Sequence, residues 1–344
     1  MPRVPRLTFL GTGAPTSAPP RPPPPPVASP VVRSPNLHFV MDPETFRDRG
    51  IVGIPNTVNL CFISSPLQLL LHVPQLRTLI YNLANHELVI EGFSPVLGDL
   101  VYLFNKVWGD GWPNPAPAGT YPLVHIQARL YASIVGQRTQ FGVIHRQPGN
   151  SDVFTSRFLA YIRDELDRLV PGQGFRNFFT PTLEAPGRPV ESLIISLMPD
   201  MARTGYARLE SLILNWFRDQ NRYRFTEPFP TIITFEFVGE INRSVDPPLV
   251  LTLINGRPID RDDPRASADA VVLEPREQYN LIGYTVHTGN HYKAVVRHPD
   301  TGAWFQIDDD RVDPIPGHDP RQPIIMAHPA FVITNIMYSK QEIP

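Results

Sequence analysis

Gly53-Ile-Pro-Asn-Thr-Val-Asn-Leu-Cys-Phe-Ile-Ser-Ser-Pro-Leu-Gln-Leu-Leu70 holds the single cysteine of the chain, Cys61, between a turn and an apolar run. Gly53-Ile-Pro-Asn56 has turn chemistry. The run that follows reaches Val73 and carries leucines at 67, 69, 70 and 71, long enough for a short buried helix. Ser65 is the expected N-cap of that helix and Pro66 its first residue. A lone cysteine ordinarily reads as a small buried hydrophobe. Its place between a turn and a helix adds a second reading, because backbone N–H groups and the helix dipole favour a thiolate there. A thiol nucleophile needs a base, and the base needs a group that orients it.

The chain has 10 histidines, and the surroundings of His291 single it out. Val286-His-Thr-Gly-Asn-His-Tyr292 is a tight connection between two strand-like segments, Tyr279–Val286 and Tyr292–Arg297. A hairpin between Tyr292–Arg297 and Trp304–Ile307, turning at His298-Pro-Asp-Thr-Gly302, returns Asp308 beside His291. Neighbouring strands lie about 4.8 Å apart, within range of an imidazole–carboxylate hydrogen bond.

These segments resemble the two signature boxes of the ubiquitin-specific proteases. Gly53, Ile54, Asn56, Cys61, Phe62, Ser65, Leu67 and Gln68 match the cysteine box. Tyr279–Gly289, His291-Tyr292 and Trp304-Phe-Gln-Ile-Asp-Asp-Asp-Arg-Val312 match the histidine box. The boxes stand in the family's order, about 230 residues apart. Ser151-Asp-Val153, Phe229–Phe237 and Phe331–Tyr338 are weaker echoes of the segments between and after them. The sequence departs from the pattern at Val58, Leu60, Ser64, Pro66 and Asn290, which marks a divergent member.

The resemblance implies an α+β, papain-like cysteine protease fold with thumb, palm and fingers. It implies a thiol deubiquitinase that hydrolyses isopeptide or peptide bonds at the C-terminal glycine of ubiquitin through a thioester. Cys61 would be the nucleophile, His291 the base and Asp308 the orienting acid. Asn56 would serve the oxyanion, with Asp309 supporting it. Asp152 and Tyr292 would line the groove for the ubiquitin tail. Plainer readings stand beside these roles. Asn56 also suits a turn, Asp308–Asp310 a solvated acidic loop or cation site, Asp152 a helix cap and Tyr292 a strand aromatic. A catalytically weak ubiquitin-binding module and a protease for another ubiquitin-like modifier are the alternatives at the level of function.

Composition is consistent with this. Of 344 residues, 42% are hydrophobic and 19% charged, enough for a substantial core. The net charge of −2 gives no drive toward nucleic acid or anionic lipid, and neither is expected as a partner. One cysteine permits no internal disulfide and no cysteine-based zinc site, so no metal or cofactor is expected. The absence of a long apolar run or secretory leader predicts no membrane span, and the cytoplasm, nucleus or both as the setting. Forty-one prolines argue for many loops and few long helices.

Residues 1–49 read as a disordered proline-rich leader, with Arg21-Pro-Pro-Pro-Pro-Pro26 a candidate ligand for SH3 or WW domains. Residues 50–340 form the expected catalytic domain, with about 50–172 as helical thumb and about 173–340 as fingers and β-rich palm. Within it, Asp152–Val170 is a helix with Asp152 as N-cap, and a second amphipathic helix covers Ala207–Phe217. Strands are expected at Thr231–Val238, Leu249–Leu253 and Phe331–Met337 besides those above, and a polar loop at Asn255–Asp269. Early helices and late strands point to α+β order.

Overall fold

The computed structural model describes residues 49–341, apart from 57–58, 85–91, 109–129, 135, 137–140, 142–148, 173–174, 198–206, 238–244, 268 and 317–331. Residues 1–48 of the proline-rich leader and Val58 lie outside the described residues. Helices α1 (Cys61–Leu71), α2 (Pro74–Ala84), α3 (Pro95–Trp108) and α4 (Ser151–Leu169) come first, followed by the short α5 (Phe175–Phe179). Strands then dominate: β1 (Thr182–Leu183), β2 (Val190–Glu191), β3 (Ile195–Leu197) and β4 (Ala207–Arg208) precede helix α6 (Leu209–Asp219). After it come β5 (Phe225–Thr226), β6 (Ile232–Phe237), β7 (Val245–Asp246), β8 (Val250–Ile254), β9 (Arg257–Pro258), β10 (Arg276–His287), β11 (Tyr292–Arg297), β12 (Trp304–Asp308), β13 (Arg311–Pro314) and β14 (Val332–Lys340).

The main sheet runs β13-β12-β11-β10-β14-β6-β3, with β8 and β9 attached through β10. Both faces of its centre are buried, and alternation divides them. Ala294, Val296 and Met337 join the helical core, while Val295, Ile336 and Tyr338 join a second core with Leu209, Ile213 and Phe217 of α6. Neighbours along β11 thus face opposite layers, as a two-residue period requires.

Helix α1 is the centre of the helical layer, with all 11 residues buried. It starts at Cys61, four residues before the expected N-cap, and Pro66 lies inside it. A proline at an interior position costs about 3 kcal/mol. Burying Phe62, Ile63, Leu67, Leu69, Leu70 and Leu71 returns roughly 1.5–3 kcal/mol each, so packing outweighs the proline. Other boundaries shift for local reasons. The cap of α4 is Asn150, whose side chain accepts from the Asp152 N–H at 3.1 Å, so Asp152 sits in the first turn. Asparagine caps as well as aspartate, and an acid within the first turn suits the dipole. The second predicted helix begins at Leu209, after the β4 pairing to β7. Residues 255–269 are not loop throughout, since β9 returns along β8 and Pro264–Ala266 forms a 3₁₀ turn.

A buried polar knot joins the helices to the β11–β12 turn. Trp108 donates its indole N–H to the Leu71 carbonyl at 2.9 Å. The rings of His72 and His298 meet it edge-on at 5.8 and 5.7 Å. The Arg77 guanidinium covers it at 4.5 Å and forks onto Asp300 at 2.8 and 3.0 Å. His72 is fully buried with Nδ1 2.6 Å from the Gln68 carbonyl. Burial, with His298 and the Arg77 guanidinium nearby, pushes its pKa down to about 4.

His72 is therefore neutral in the folded chain, whereas the unfolded chain binds its proton below the ordinary 6.5. Stability should fall as pH drops from about 6.5 to 4, by about 3 kcal/mol from this group. Urea denaturation of wild type and His72→Gln across that window checks it, the variant losing most of this group's slope.

Candidate active site

The first residue of α1 is the cysteine itself, so the helix N-terminus is built around its sulfur. Leu60 supplies the carbonyl for the Ile63 and Ser64 N–H groups at 2.8 and 2.9 Å. The N–H groups of Phe62 and Cys61, in the first turn of the helix, face the thiol. The backbone N–H of Tyr292, next to His291, faces the thiol from β11. Cys61 is 6% exposed. Burial pushes its thiol up, the three N–H groups pull it down, and the Asp309 carboxylate pushes it up again, with burial prevailing.

Strand β11 begins at Tyr292, directly after His291. The pairings Ala294↔Ile307 and Arg297↔Trp304 fix the hairpin register. The His291 Nε2 and Asp308 Oδ1 atoms are 2.6 Å apart, as the hairpin reading expected. That bond leaves Nδ1 as the nitrogen available for proton exchange with a thiol. The other Asp308 oxygen takes the Lys293 ammonium at 2.7 Å. Burial would push the Asp308 carboxyl up, but Lys293 and His291 together hold it below the usual carboxylate range.

Asp309 is handled differently. It adopts φ 56, a left-handed conformation unusual outside glycine, and its Oδ2 lies 3.7 Å from His291 Nε2. Burial pushes its carboxyl up, against the pull of His291 and of a hydrogen bond from the Asn56 side chain. Asn56 Oδ1 accepts the Leu60 N–H at 2.7 Å, which turns its amide donor the other way. Gly53 lets this assembly close. A Cβ there would lie 2.5 Å from the Asp309 carbonyl oxygen and 2.6 Å from Asp310 Cα. Gln68 ties the turn to α1 through Nε2 to the Val52 carbonyl at 2.8 Å.

The two expected groove residues also converge. Tyr292 stacks on His287 at 4.3 Å, and its phenol oxygen faces the Ser151 N–H at the start of α4. Burial raises the pKa of Asp152, which lies within electrostatic reach of both rings. The structure thus brings Cys61, His291, Asp308, Asn56, Asp309, Asp152 and Tyr292 to one junction between α1, α4 and the end of the main sheet.

Sequence reasoning missed Lys293, although extending the hairpin register by one pair sets it opposite Asp308. It also missed Asn335, fully buried, which donates to Ser151 Oγ at 2.7 Å and ties β14 to the α4 N-terminus. No periodic signal distinguishes such a buried polar residue.

His291, Asp308 and Asp309 each offer one potential metal-ligand atom, all within 4.8 Å of one another. The Lys293 ammonium already neutralises Asp308 and opposes a cation there. The arrangement sets a histidine–carboxylate pair at the head of the strand whose first N–H faces a thiol at a helix N-terminus, the groups that thiol chemistry uses.

A protein-family model described as ubiquitin carboxyl-terminal hydrolase matches residues 52–328. No curated protein matches the sequence significantly. Solved structures share the fold at low identity. A chain of the SAGA Ubp8/Sgf11/Sus1/Sgf73 DUB module bound to ubiquitin aldehyde aligns with a TM-score of 0.58 at 16% identity, over 87% of this chain and 71% of that one. The Saccharomyces cerevisiae PAN2 pseudoubiquitin-hydrolase aligns with a TM-score of 0.56 at 14% identity, over 87% and 88%.

Because Cys61 is the only cysteine, alkylation reads its ionisation directly. Lys293→Met removes a positive charge from the site, which should disfavour the thiolate and move the midpoint of the iodoacetamide rate profile to higher pH. An unchanged profile removes Lys293 from the electrostatics of the thiol.

Proposed function

The chain belongs to the ubiquitin carboxyl-terminal hydrolase family, and from that premise we propose that it is an active thiol deubiquitinase. One juxtaposition carries the reading: the Cys61 thiol sits against the Tyr292 N–H at the head of α1, beside a His291–Asp308 bond of 2.6 Å.

In this reading His291 takes the Cys61 proton, and Asp308, held ionised by Lys293, stabilises the imidazolium. The thiolate attacks the carbonyl of the terminal glycine of ubiquitin. Negative charge then develops on the carbonyl oxygen next to the α1 N-terminus. The Asn56 amide donor and the Cys61 N–H meet it, donors of a kind worth roughly 3–4 kcal/mol each. His291 protonates the departing amine, and water releases ubiquitin from the thioester. Asp309 supports the Asn56 amide, while Asp152 and Tyr292 hold the incoming tail. The reaction draws on no cofactor. Ubiquitin and ubiquitinated proteins are the proposed partners, with an SH3- or WW-type partner for the leader. A cytoplasmic or nuclear setting goes with a thiol that must stay reduced.

A second reading rests on a specific observation. Burial prevails in raising the Cys61 thiol, and one protein of the same fold is described as a pseudoubiquitin-hydrolase. A ubiquitin-binding module without useful turnover has the same architecture.

Ubiquitin carrying a C-terminal electrophile separates the two. The enzyme should be labelled at Cys61, and Cys61→Ala should abolish labelling while ubiquitin binding persists. Binding without labelling of the wild type establishes the module, and labelling only by probes built on other ubiquitin-like proteins reassigns the substrate. Asn56→Ala should lower kcat on a ubiquitin C-terminal amide by about 10²–10³-fold with little change in KM. A change confined to KM would move Asn56 from the oxyanion to binding.

A further inference from the structure

The far end of β11 carries a second polar concavity. Strand β10 changes partners along its length. Residues 283–287 pair with β11, whereas 276–280 pair with β8. Between them the pairing to β14 slips from Leu281 to Gly283, so Ile282 bulges at the fork. Such a bulge bends its strand and parts the neighbours. A cavity of about 220 Å³ opens there, lined among others by Pro74 and Gln75 of α2, Asn280, Arg297, Ser339 and Lys340. Arg297 ends the strand that Tyr292 begins, about 17 Å along it at ~3.4 Å per residue. The cavity is therefore separate from the Cys61 site.

Among the described residues, charge in this cavity is unbalanced. Lys340 has its counter-ion in Glu277 at 2.9 Å. The closest acid of the adjoining turn, Asp300, has both oxygens engaged by Arg77 at 2.8 and 3.0 Å. Arg297 is half-buried and makes no ion pair or hydrogen bond among the described residues. Burial alone acts on it, disfavouring its charged form. A partly desolvated guanidinium without an acceptor is costly, and a forked pair of N–H donors matches a carboxylate. The first turn of α2, at the cavity wall, adds favourable potential for an anion. Among the described residues one positive charge is uncompensated, so a monoanion balances the site and a phosphate dianion does not. The volume falls below that of sites for drug-sized ligands, about 300–1,000 Å³.

We propose that this fork is a binding site for a small free carboxylate, held by the guanidinium of Arg297. The probe is acetate, added to the full 344-residue chain at pH 7.5 against sodium chloride of equal ionic strength. Inorganic phosphate runs in parallel. The readouts are the side-chain Nε–H resonance of Arg297 and the thermal unfolding midpoint. Acetate should shift that resonance saturably and raise the midpoint, with phosphate binding more weakly. Arg297→Ala should weaken acetate binding by about tenfold or more, and Arg297→Lys, which keeps the charge without the fork, by a few-fold. Unfolding of each variant in chloride alone shows whether it is folded; if the alanine variant is not, the lysine variant decides. A linear, non-saturating response, acetate binding unchanged in a folded variant, or phosphate binding tighter than acetate overturns the proposal. Labelling by the ubiquitin probe should be the same in Arg297→Lys and wild type, so this test stands apart from the deubiquitinase reading.

Discussion

A helix buried on every side, with a cysteine as its first residue, sets the terms for the rest of this molecule. Burial is what makes α1 stable despite Pro66, and burial is also what disfavours a charged sulfur at its head. The two demands meet at Cys61. The Cys61 and Phe62 N–H groups of the first turn and the Tyr292 N–H from β11 recover part of the solvation that the thiol gives up. This works only if the strand bearing His291 is held firmly against the helix. The Trp108 knot and the shared core of α1, β10 and β11 supply that constraint.

Electrostatics then separate two adjacent carboxyls. Asp308 and Asp309 are neighbours in the chain, yet their surroundings move them in opposite directions. Lys293 and the imidazole keep Asp308 charged. Asp309, turned back by its left-handed backbone, lies under the Gly53 turn and meets the Asn56 amide. A carboxylate bonded to an imidazole and a carboxyl bonded to an amide are different arrangements, and a single reversal of backbone direction gives them to consecutive residues. The close approach depends on the missing side chain at Gly53.

Much of this was legible before any coordinates. The hairpin that returns Asp308 to His291 follows from two strand-like segments and a five-residue turn, because antiparallel register is local arithmetic. Strands β10, β11, β12 and β14 and helix α4 were legible from local pattern too, whereas β13 was not. The start of α1 was not. Ser65-Pro66 carries the local signature of a helix beginning, and only the apolar surroundings of all eleven residues override it. Helices α2 and α3 escaped notice because their apolar faces are interrupted by polar residues that the fold buries, Arg77 and Asn105 among them.

The sequence by itself determined the chemistry on offer: one thiol, a histidine and an aspartate seventeen positions apart, and the α+β order of the elements. These are properties of residue type and short spacing. Tertiary structure alone decided that the thiol heads its helix, that Asn335 ties β14 to α4, and that the sheet forks beside Arg297. Each of these depends on segments tens to hundreds of residues apart in the chain, and on burial, which belongs to the assembled layers and to no local stretch.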